Sequence, residues 1–91
     1  MNRAETLEAA ALCVCGQRDQ DYGNPEHNFT RIANFWADYL CVDISPKDVA
    51  AMLALLKIAR IASGHAKADN WVDLAGYAAC GCEIETEVRE E

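Results

Sequence analysis

Residues 44–64 carry a helix with both ends written into the sequence and almost no polar side. Ile44-Ser45-Pro46-Lys47-Asp48-Val49 supplies an N-cap serine, a proline in the first turn, an acid three residues after the cap and an Ile44–Val49 staple. Gly64 closes the segment. Between them, Val49, Met52, Leu53, Leu55, Leu56, Ile58, Ile61 and Ala62 wrap nearly every side. A helix apolar all round is either central to its domain or shared with a partner chain.

Similar punctuation organises the rest of the chain. A first helix is expected from about Ala4 to Arg18, with Leu7, Ala11, Val14 and Cys15 on its inner stripe. Asp21-Tyr22-Gly23-Asn24-Pro25 reads as a loop leading into a second helix, Pro25 to about Leu40, which lays Phe29, Ile32, Ala33, Trp36, Tyr39 and Leu40 on the core. Asp69 is expected to cap a fourth helix, Asn70 to about Glu87, with Trp71, Leu74, Ala75, Ala78 and Cys82 inward and Asp69, Asp73, Tyr77 and Cys80 beside them. No strand pattern competes, so the fold class is all-α: a compact four-helix bundle-like domain over residues 1–91, ending in an acidic tail at 83–91.

With 91 residues the chain supports one small core, and self-association as a dimer or higher oligomer is an expected remedy for its size. The net charge of −7, of which the tail contributes −4, argues against nucleic-acid and anionic membrane partners. No apolar run is long enough to span a bilayer. Cys13, Cys15, Cys41, Cys80 and Cys82 are odd in number, follow no signal peptide and lack zinc-knuckle spacing, which points to small-hydrophobe roles in a reducing cytoplasm.

Few residues stand out as candidates for chemistry. Asp69 and Asp73, one turn apart, can share a divalent cation, or can simply be an N-cap and a first-turn acid. Lys57 and Arg60 sit mid-helix among apolar neighbours, where a cation needs either a ligand phosphate or a carboxylate such as Asp73 or Asp48. Asp19, Asp21 and Tyr22 precede a glycine turn suited to ligand contact or to ordinary turn chemistry. His27 and His65 have no recognisable nucleophile partner, the aromatic residues read as core, and no phosphate-binding glycine loop is present.

Asp21-Tyr22-Gly23, Leu55-Leu56-Lys57-Ile58-Ala59-Arg60-Ile61 and Asp69-Asn70-Trp71-Val72-Asp73-Leu74-Ala75-Gly76-Tyr77-Ala78 together resemble small phage-encoded proteins of uncharacterised function. More distantly they resemble the all-α NTP pyrophosphatases of the MazG type. The resemblance spans about residues 15–85. It implies an oligomeric bundle in the host-cell cytoplasm, with Mg2+ held between acidic pairs, Glu-x-x-Glu on one helix and Glu-x-x-Asp on the next, for attack between the α and β phosphates. Asp69 and Asp73 would then bind metal, Lys57 and Arg60 phosphate, and Tyr22, Tyr77 or Asp21 the rest of a nucleotide. The chain departs from that pattern because Val49–Ser63 contains no acid. Three readings follow: a Mg2+-dependent pyrophosphohydrolase, a non-catalytic nucleotide binder, and a helical protein–protein interaction module.

Overall fold

The computed structural model describes residues 1–16, 25–64 and 67–87, with the side chains of Pro25 and Glu26 outside the description. Among these residues the secondary structure is entirely helical: α1 (Arg3–Cys15), α2 (Pro25–Leu40), α3 (Pro46–Ala62) and α4 (Ala68–Thr86). The all-α reading holds. Two of the starts are chemically marked by reciprocal capping boxes. The Ser45 hydroxyl accepts from the Asp48 N–H at 3.3 Å while Asp48 accepts from the Ser45 N–H at 2.9 Å. Asn2 and Glu5 do the same for α1, at 2.9 and 2.8 Å, so that helix starts one residue before the expected Ala4. Residues 17–24, which include Arg18, Asp19, Asp21 and Tyr22, lie outside the described residues.

The start of α4 departs from expectation. Lys67 occupies the N-cap without a side-chain cap bond, and Asp69 falls inside the first turn, exposed. Its carboxylate there complements the helix dipole rather than capping an N–H. At the other end of the preceding loop, Gly64 adopts φ +92°, the left-handed conformation that terminates a helix at least cost in a residue without Cβ.

α4 is the spine. α3 packs along it, α1 docks on it and α2 covers the α3–α4 pair. Phe29 and Ala33 from α2, Val49 and Ala50 from α3 and Cys80 from α4 form the buried cluster, with Val14, Ile32, Trp36, Ile44, Leu53, Tyr77 and Ile84 against it. Glycines let the helix axes come close: a Cβ on Gly81 would stand 3.2 Å from the Ala50 methyl, and one on Gly76 would stand 3.1 Å from a Val14 methyl.

Several inward assignments are corrected. In α4 the buried positions are Asn70, Val72, Gly76 and Cys80, whereas Trp71, Ala78 and Cys82 are exposed. In α1 it is Ala10 that is buried, while Leu7, Ala11 and Cys15 face outward. In α2 the core stripe stops at Trp36, leaving Tyr39 87 % and Leu40 51 % exposed. Among the cysteines only Cys80 fits the small-hydrophobe role; Cys13, Cys15, Cys41 and Cys82 are exposed thiols. The physical reason is common to all three helices. Each carries more apolar surface than a bundle of this size can enclose, so period alone does not decide which stripe goes in.

Candidate functional site

The polar centre of the molecule lies between α3 and α4, and it arises from an inverted amphipathicity. On α3, Lys57 is half-buried against α4, while Arg60 is exposed, as are Ala51, Met52, Leu55, Leu56, Ile58, Ala59 and Ala62, and reaches α4 only through its side chain. Withdrawing the Lys57 ammonium from water costs free energy unless a partner meets it, and α4 provides one in register, with a second for the exposed Arg60. Lys57 Nζ lies 2.9 Å from Asp73 Oδ2, with side-chain exposures of 15 % and 33 %. Arg60 Nε donates to Asn70 Oδ1 at 3.0 Å, and Asn70 is buried.

Both halves of this seam use the same spacing. Lys57 and Arg60 are i, i+3 on α3; Asn70 and Asp73 are i, i+3 on α4. Antiparallel helices with equal spacing therefore zip Lys57 to Asp73 and Arg60 to Asn70 across one turn. Asn70 was not among the residues singled out from the sequence, although its spacing to Asp73 was a usable signal. Of the two partners open to the cations, the structure selects Asp73. Asp48 is instead committed to the Ser45 cap, whose hydrogen bonds hold its carboxyl below the usual range.

The residues expected to form a ligand site are thus partly gathered. Lys57, Arg60 and Asp73 meet; Asp69 stands apart, exposed, and Tyr77 packs against the core. Asp21 and Tyr22 lie outside the described residues. No group of three or more His, Cys, Asp or Glu side chains able to hold a metal occurs among the described residues. No described helix is long and apolar enough to cross a membrane.

A second feature lies on the same helix pair. A shallow open groove of about 470 Å3 runs between α3 and α4, lined among others by Ala51, Ala54, Ala78 and Cys82, with Lys47 and Glu85 paired at 3.2 Å at its end.

Fold and seam together define a small all-α domain whose central helical hairpin is closed by its own cations, carboxylate and amide. The chain belongs to the family described as "Domain of unknown function (DUF6378)", which matches residues 5–85. It is similar to the Gene 55 protein of Mycobacterium phage D29, 42% identical over 74 residues that cover 81% of this chain and 49% of that protein. The Gene 55 protein of Mycobacterium phage L5 is 47% identical over 73 residues, covering 79% of this chain and 47% of that protein. The chain therefore spans about half the length of the curated relatives it matches. No solved structure matches it. The expected kinship with a phage family stands on these matches.

Proposed function

We propose that this domain is a non-catalytic helical association module of a phage protein. One observation carries the reading: the cations at the α3–α4 interface are matched by Asp73 and Asn70 of the same chain, so the seam joins two helices. Support comes from the donor set. A Mg2+ ion is held by oxygens, several of them carboxylate; here the i, i+3 positions facing Asn70 and Asp73 on the neighbouring helix are a lysine and an arginine, which repel a cation. The exposed apolar residues of α3 and α4 add to it, because large uncovered apolar surface marks association. The test is pyrophosphate release from the four common ribonucleoside and deoxyribonucleoside triphosphates with Mg2+ or Mn2+. No turnover is expected, and turnover abolished by Asp73→Asn overturns the reading.

A second reading keeps the nucleotide and gives up the chemistry. Asp73 is one third exposed, and a phosphate has the charge and geometry to take its place between Lys57 and Arg60. The distant MazG-type resemblance favours it, with Mg2+ carried by the nucleotide and by carboxylates such as Asp69. Calorimetry with mono-, di-, tri- and cyclic nucleotides separates the two. Micromolar binding lost in Lys57→Ala supports sequestration; silence across the panel leaves the association module.

A further inference from the structure

We infer that two copies of this chain dock through the open faces of their α3–α4 hairpins, the bulky half of one face seating in the hollow half of the other. This inference rests on the association reading and names its partner and its surface.

The outer sides of both helices carry heptad-like seams, exposed at every position but the half-buried Ala75. On α3, Ala51, Leu55, Ile58 and Ala62 follow 4-3-4 spacing; on α4, Trp71, Ala75, Ala78 and Cys82 follow the same spacing. That is the a/d repeat by which helices pack side by side. Both seams flank one groove, since Ala51 of α3 and Ala78 and Cys82 of α4 line it together.

Bulk is distributed unevenly along this face. The contacts Lys57–Asp73, Arg60–Asn70 and Lys47–Glu85 set α3 and α4 antiparallel. That register puts Leu55, Ile58 and Trp71 at one end, exposed 65 %, 46 % and 49 %. Ala51, Ala54, Ala78 and Cys82 form the hollow at the other. A two-fold axis in the plane of the face and perpendicular to the helices places the bulky end of each copy over the hollow end of its mate. This is the self-complementarity an isologous dimer requires.

Charge and area point to the same occupant. None of the eight seam residues carries a charge, and the charged side chains that line the groove are held within the chain, Lys47 by Glu85 and Asp48 by the Ser45 cap, so little uncompensated charge faces the copy there. Helices of 17 and 19 residues give a footprint of roughly 25 by 20 Å, about 500 Å2 in flat projection before side-chain relief is added, against the roughly 600–1,000 Å2 that each partner contributes to a stable interface.

Sedimentation equilibrium of the 91-residue chain tests this, with circular dichroism to confirm helicity. The wild type is expected at twice 10.0 kDa. Leu55→Glu in the bulky half and Ala78→Arg in the hollow half are each expected to shift it to monomer with helicity unchanged, because both positions are exposed within one chain. Leu12→Glu, exposed on α1, is expected to remain dimeric. A monomeric wild type overturns the inference. A dimer indifferent to both face variants also overturns it while leaving the association reading intact, and nucleotide turnover overturns that reading whatever the mass.

Discussion

Arg60 and Asn70 stand ten residues apart in sequence and meet at 3.0 Å across the α3–α4 turn, the asparagine buried and its amide oxygen accepting from the guanidinium. Asn70→Ala removes that acceptor from a buried position. A loss of about 1–3 kcal/mol in unfolding free energy is expected, read by urea denaturation. Asn70→Asp, which keeps an acceptor for Arg60, is expected to lose less.

The Ser45–Asp48 box makes a pH prediction. Hydrogen bonds from the Ser45 backbone N–H and hydroxyl hold the Asp48 carboxyl below its ordinary range in the folded chain. The native state therefore binds the proton less readily than the unfolded chain, and the contribution is complete above the unfolded value of about 4. It is lost as pH falls through the lower folded value. Melting temperatures of wild type and Asp48→Asn between pH 7 and pH 2 are expected to converge at the acid end.

Gly76 is where α1 leans on the spine. A Cβ there would already stand 3.1 Å from Val14, and a leucine has no room. Gly76→Leu is expected to cost about 1–3 kcal/mol by overpacking. Hydrogen exchange should speed up in α1 first, because α1 packs on α4 while α2 and α3 support each other.

Cys41 ends α2 with φ 58°, a conformation costly for any side chain with a Cβ. Its thiol contact to the Asp38 carbonyl, at 3.7 Å, is weak. Cys41→Gly is expected to raise stability by up to about 1 kcal/mol, measured as an increase in the urea midpoint.

Local chemistry made much of this fold legible. The Ser45-Pro46-Lys47-Asp48 start and the Pro25–Leu40 span are read from caps and prolines, which act over three or four residues and need no knowledge of the rest of the chain. The choice of inner face on α4 was not legible. Trp71-Ala75-Ala78-Cys82 is the more apolar stripe, yet the helix buries Asn70, Val72, Gly76 and Cys80 with Asp73 half-buried beside them, because Lys57 on α3 must be met and Gly76 and Gly81 permit close approach. Period measures one helix at a time, whereas burial of a polar stripe is settled by what the neighbouring helix carries. The same limit hid Asn70: it became informative only when its spacing to Asp73 was set against that of Lys57 to Arg60. Asp69 drew notice through its charge, but it sits in the first turn on the solvent side.

Lys57 and Asp73 form an internal lock between α3 and α4, and a double-mutant cycle at the two residues by urea denaturation without ligand measures it most directly. Lys57→Ala and Asp73→Ala are each expected to lose about 1–3 kcal/mol, between the values for exposed and buried pairs. The double variant is expected to lose clearly less than their sum, a coupling of about 1 kcal/mol or more. Additive losses with no coupling would contradict the lock and leave the two residues free for a phosphate.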